Sequence, residues 1–103
     1  MCITKNIDNL PLEEMEHRIK TVCDQIANLL IAKNKAYGNS AIKPLRIFSR
    51  APVIEQINVR LDDKLSRIAC GGADFEGEDT EMDLVGYLIL KQIAKQLQVL
   101  EDF

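Results

Sequence analysis

Two acids late in the chain, Asp79 and Asp83, stand four residues apart. On a helix that spacing puts both carboxylates on one side, and the same side continues through Gly86, Leu90, Ile93 and Leu97. An apolar face is a costly place for a carboxylate unless a cation, a metal or a set of N–H donors answers it. Asp79 can serve as an acid of the first turn, stabilised by the helix dipole, and Asp83 can pair with a basic residue of a neighbouring helix such as Arg60 or Lys64. Alternatively the two acids contribute to a cation or ligand site, which for Mg²⁺ needs further oxygens from a second element or a substrate phosphate.

The basic residues are equally patterned. Arg60, Lys64 and Arg67 recur at i, i+4 and i+7, a basic stripe beside the apolar face of their helix. Such a flank either stays solvated, with its stems over the core and its heads on Asp63 or the acids of the first helix, or it reaches a cleft. There it would recognise phosphate or carboxylate, for which guanidinium groups are suited by their bidentate geometry. Lys33 falls on the otherwise apolar face of Met15, Ile19, Val22, Ile26 and Leu29 and is followed by Lys35, Tyr37 and Gly38. It either snorkels at the helix end or points into the same cleft as the acids, and Tyr37 either packs or stacks on a base. Lys33, Lys35, Tyr37, Gly38, Arg60, Lys64 and Arg67 are therefore the candidate ligand-binding residues. His17 lies well off the apolar stripe and reads as exposed; with one histidine no Ser-His-Asp or Cys-His grouping is available. Cys2, Cys23 and Cys70 form no CxxC pair, which excludes a zinc knuckle or a thioredoxin-like motif.

The elements that must position these groups are helices. The first is expected after Asn9, with Pro11 in its first turn and Glu13 and Glu14 against the positive end of the dipole, and to run to about Tyr37. Its stripe of Met15, Ile19, Val22, Cys23, Ile26, Leu29 and Leu30 should pack on the rest of the fold, and Gly38 should close it as a left-handed cap. From Asn39 to Pro52 the pattern breaks, giving either a short helix interrupted by Pro44 or an ordered loop over the core. Ser49 is the expected N-cap of a helix from Val53 to about Cys70, on which Ile54, Ile57, Leu61, Leu65 and Ile68 share a face and which Gly71-Gly72 ends. A loop with Asp74, Phe75 and Gly77 leads to the last helix, lined on one side by Met82, Gly86, Ile89, Leu90, Ile93, Leu97 and Leu100. The class is all-α, a compact three- or four-helix bundle forming one domain over 1–103.

At 103 residues and 11.6 kDa the chain buries one modest core, and with no Trp it has few large side chains to fill it. Association into a homo-oligomer, most simply a dimer, would cover its apolar stripes. A net charge of −3 argues against duplex nucleic acid or an anionic membrane as a partner, so any basic site must be local. The sequence shows neither a signal-like apolar run nor a membrane-length one, and the unpaired cysteines suit a reducing compartment; a cytoplasmic location is expected.

Four blocks of the chain, Lys33-Asn-Lys35-Ala-Tyr37-Gly38-Asn-Ser40-Ala, Pro44-Leu-Arg46-Ile-Phe48, Arg60-Leu-Asp62-Asp63-Lys64-Leu-Ser66-Arg67-Ile and Glu78-Asp79-Thr80-Glu-Met-Asp83-Leu-Val-Gly86-Tyr87, resemble the nucleotide-modification-associated domain, type one, of phages and prophages. The resemblance spans roughly residues 25 to 92. It implies a helical domain concerned with nucleotides, in a bacterial host's cytoplasm if phage-encoded, without implying a reaction. More distantly, the acidic start of the last helix is similar to the MazG-like all-α nucleoside triphosphate pyrophosphatases, whose ExxE and ExxD pairs hold Mg²⁺. The pattern departs from theirs: Asp79 and Asp83 are spaced by four, and Asp62 and Asp63 fall on different faces of the central helix.

Two functions follow as expectations. One is a binding protein that captures a nucleotide or cyclic nucleotide, with Lys33, Arg60, Lys64 and Arg67 on phosphates and Tyr37 against a base, in nucleotide metabolism or in sequestering a defence signal. The alternative is an enzyme in which Asp79, Asp83 and Asp63 (or Asp62) hold Mg²⁺ to hydrolyse a nucleoside triphosphate between its α and β phosphates.

Overall fold

Proline and glycine set the limits of the helices. In the computed structural model, which describes residues 7–71 and 79–97, a single 3-10 turn at Ile7–Asn9 leads into α1 (Leu12–Tyr37), followed by α2 (Val53–Ala69) and α3 (Thr80–Leu97). Among the described residues there is no strand, so the class is all-helical, as the periodicity predicts. The expected features at Cys2, Gly72, Asp74, Phe75, Gly77 and Leu100 lie outside the described residues.

Pro11 occupies the N-cap of α1, one position before the expected first turn, with extended backbone and its carbonyl already accepting the Met15 N–H at 3.1 Å. At the other end Gly38 adopts φ 61° and ψ 46°, a conformation cheap only for glycine, and returns its N–H to the Asn34 carbonyl. The N-cap of α2 is Pro52 and not Ser49. Proline enforces the extended backbone (φ −56°, ψ 152°) from which the helix starts, while the Ser49 hydroxyl accepts the Ala51 N–H at 3.2 Å in the preceding turn. Between α1 and α2 the chain is an ordered loop with no helix. Asn39 and Arg46 take positive φ there, and the Arg46 guanidinium holds the bend by donating to the Ala51 carbonyl at 2.8 Å.

α2 and α3 form the core. Val53, Ile57 and Leu61 of α2 are buried against Ala94 of α3, with Ile42 of the loop and Ile54, Leu84, Tyr87 and Leu90 packed around them. Burial thus covers only the first three turns of the α2 stripe, since Leu65 and Ile68 are about half exposed. α1 joins through its C-terminal half. Lys33 meets Asp83 and Leu30 lies over Gly86, so a turn back along α1 is a turn forward along α3 and the two run antiparallel. A Cβ on Gly86 would stand 3.4 Å from Leu30 Cδ1, in van der Waals contact with it.

The expectation that the whole α1 stripe packs inward is corrected: Met15, Ile19 and Val22 remain about half exposed. α1 is a 26-residue helix, some 39 Å long at ~1.5 Å per residue, and α3 with its 18 residues does not cover it. The single chain is accordingly elongated, with a radius of gyration of 17.2 Å, against about 13 Å for a compact domain of similar length.

A candidate anion-binding cleft

α1 and α2 part above α3 and leave a cleft of about 600 Å³. Each helix lines it with one stripe at the spacing of successive turns: Ile26, Leu29, Leu30, Lys33 and Tyr37 from α1, Ile57, Arg60 and Lys64 from α2, and Asp83, Gly86, Tyr87 and Leu90 from α3. Ser40, Ala41, Pro44 and Leu45 of the connecting loop close one end. Gly86 in the floor keeps room that a side chain would fill.

The charged groups converge on Asp83. Its Oδ1 accepts from Lys33 Nζ at 2.7 Å and its Oδ2 lies 3.7 Å from Lys64 Nζ, with the Asp83 and Lys64 side chains largely buried (13% and 12% exposed). The hydrogen bond to Asp83 raises the Lys33 pKa above its ordinary value, against the opposing effect of desolvation. Asp83 therefore has the cationic partners that its place on an apolar face demands. Lys64 is one of the two named from the sequence, and Lys33 comes from the helix on the other side. Arg60 lines the cleft with no ion-pair or hydrogen-bond partner among the described residues.

The remaining sequence candidates divide cleanly. Lys33, Tyr37, Arg60, Lys64 and Asp83 are brought together; Lys35, Gly38, Arg67, Asp63 and Asp79 do not line the cleft. Gly38 is the helix cap, and Lys35, Asp63 and Arg67 are exposed on their helices. Asp79 caps α3, its Oδ1 accepting the Met82 N–H at 3.1 Å and its carbonyl the Asp83 N–H at 2.9 Å. As arranged, the acids do not fit a Mg²⁺ cage: Asp83 is held by two ammonium groups and Asp79 by backbone N–H, and among the described residues no three His, Cys, Asp or Glu side chains group to hold an ion. His17 is exposed, as expected, with its carbonyl accepting from the Thr21 hydroxyl.

Sequence reasoning did not single out Asn34, Ser40, Gln56 or Tyr87, all of which line the cleft. Asn34 stands one turn beyond Leu30 and Gln56 one turn before Arg60, a signal visible only once those positions are known to face a cleft. Asn34 Nδ2 is turned to Asn39 Oδ1 at 2.6 Å and Gln56 Nε2 to the Ala51 carbonyl at 2.7 Å, so both brace the connecting loop. No family model, curated protein or solved structure matches this chain.

Proposed function

We propose that the cleft captures a phosphate-bearing nucleotide, linear or cyclic, and that the protein is a nucleotide-binding module of the cytoplasm that works as a homo-oligomer. The observation that carries the reading is the charge of the cleft: its ionisable lining is Lys33, Arg60 and Lys64 against Asp83, a net positive patch in a chain whose overall charge is −3. A concave site of about 600 Å³ with an apolar lining and a few convergent polar groups is of the size that holds small organic ligands.

In this reading Asp83 neutralises the lysines while the cleft is empty, and a phosphate competes for them. Arg60, uncommitted among the described residues, supplies the bidentate contact. Tyr37 and Tyr87, at two sides of the cleft, offer rings to a base, and Ile26, Leu29 and Leu90 a dry wall. The resemblance to the phage nucleotide-modification-associated domain agrees with this ligand class, and its implied settings, nucleotide metabolism or the sequestering of a signal, are the settings proposed.

The test is a thermal-shift panel of mono-, di-, tri- and cyclic nucleotides with and without Mg²⁺, followed by denaturation and mass spectrometry of the released ligand. Stabilisation by a nucleotide that returns intact supports capture. Release of a hydrolysed product only when Mg²⁺ is present would move the protein to the pyrophosphohydrolase class, and no stabilisation by any member of the panel would defeat the reading.

A further inference from the structure

α1 carries a second pattern, which begins ahead of the cleft and runs into its edge at Ile26 and Leu29. Leu12, Met15, Ile19, Val22, Ile26 and Leu29 follow one another at alternating steps of three and four residues, the a and d spacing of a coiled-coil seam. Leu12, Met15, Ile19, Val22 and Leu29 are between 42% and 85% exposed, although the sequence gives them one continuous apolar face. A lone amphipathic helix does not hold such a face open to water; something covers it.

We infer that a second copy of this chain covers it, with the two α1 helices antiparallel about a twofold axis beside Ile19 and Val22. Charge chooses the direction. The first turn of α1 is acidic, with Glu13 and Glu14, and its last turn is basic, with Lys35; Glu14 and Glu16 meet Arg18 and Lys20 one turn on, and Lys33 is held by Asp83. Parallel pairing would set Glu13 and Glu14 beside the same acids of the partner and align the two helix dipoles; antiparallel pairing opposes the dipoles and takes those acids to the uncharged positions 27 and 28 of the other copy. Spacing supplies the register. With Ile19 opposite the partner's Val22, Met15 falls opposite the partner's Ile26 and Leu12 opposite the partner's Leu29, so every apolar layer is filled and the contact is self-complementary, as a twofold interface must be. The five exposed side chains offer roughly 500 Å² per copy, or about 1,000 Å² for the pair, which reaches the lower bound of a specific interface.

The register has a consequence for the cleft. Leu29 lies in its lining, so the partner's Leu12 comes to the rim, one turn from Lys33, and each copy helps to wall the other's site. The interface stands on the α1 face alone, however, and is tested without any nucleotide.

Light scattering of the full chain after size exclusion should give twice the 11.6 kDa chain mass at micromolar concentration. Ile19→Glu with Val22→Glu should give the single-chain mass. A monomeric parent overturns the proposal, and so does a double variant that stays dimeric. If the double variant loses its helical circular dichroism, direction and register are read instead by disulfide trapping in a chain with its cysteines replaced by serine. Leu12→Cys chains mixed with Leu29→Cys chains should cross-link in a thiol redox buffer, while each alone should not. Cross-linking of Leu12→Cys chains to one another, or none in the mixture, refutes the antiparallel pairing.

Discussion

Replacing Asp83 by asparagine keeps the size of the side chain and removes the charge that binds Lys33 and Lys64 together. The 2.7 Å contact to Lys33 is a charge-assisted hydrogen bond, a class that contributes about 1.5–3 kcal/mol when shielded from water. The Lys33 side chain is 43% exposed, which reduces its share, but Lys64 at 12% is nearly covered and would be left beside Lys33 and Arg60 with no carboxylate between them. Relief of the desolvated carboxylate offsets part of this. The balance is a loss of about 1–2 kcal/mol in the ligand-free protein, or a fall of roughly 5–15 °C in Tm for a domain of this size. The same change strips the cleft of its only negative charge among the described residues, so a phosphate ligand should bind several-fold more tightly and recover more stability than it gives the parent. Circular dichroism melts of parent and Asp83→Asn, each with and without pyrophosphate or the best nucleotide of the panel, read both effects. An Asp83→Asn protein that melts at or above the parent temperature without ligand would refute the role given to the lysine pair. One that loses ligand-induced stabilisation would show that Asp83 itself holds the ligand or a metal.

Three further outcomes are expected. The Lys33 pKa is raised in the folded chain above its ordinary 10.5, so its stabilising contribution is complete below that value and fades as pH rises through the folded pKa; the difference in Tm between parent and Lys33→Gln should therefore be constant near neutrality and shrink at strongly alkaline pH, and a difference that grows there would contradict the ion pair. Arg60→Ala should weaken nucleotide binding by about one to two orders of magnitude, on the order of 1.5–3 kcal/mol, whereas Arg67→Ala, outside the cleft lining, should bind as the parent does by calorimetry; equal effects of the two would mean that the whole α2 stripe acts as a diffuse charge. Ile57, 2% exposed at the centre of the α2–α3 contact, should cost about 2–4 kcal/mol when cut to alanine in chemical denaturation, and a loss below 1 kcal/mol would place the core elsewhere.

The order of the helices and the Gly38 cap follow from local rules, because each depends on residues within a turn or two of one another, whereas those rules left 39–52 open between a short helix and a loop. Local rules also put Asp83, Gly86 and Leu90 on one face, and they marked Lys33 as a cation where an apolar residue belongs. Whether that cation snorkels or pairs was a question about another helix fifty positions away, which spacing along one helix does not answer. Antiparallel packing of α1 on α3 answers it by bringing Lys33 to Asp83, and only the packed structure separates Arg60 and Lys64, which line the cleft, from Arg67 on the same stripe, which does not. Of the two readings open for Asp79, its place at the start of α3 gives the first-turn acid, whereas Ser49 is displaced as an N-cap by the backbone that Pro52 imposes. Periodicity marked α1 as amphipathic along its whole length, but burial depends on what stands opposite. Within one chain α3 meets only the C-terminal half of α1, and the exposed remainder is a property of the packing that no single helix encodes.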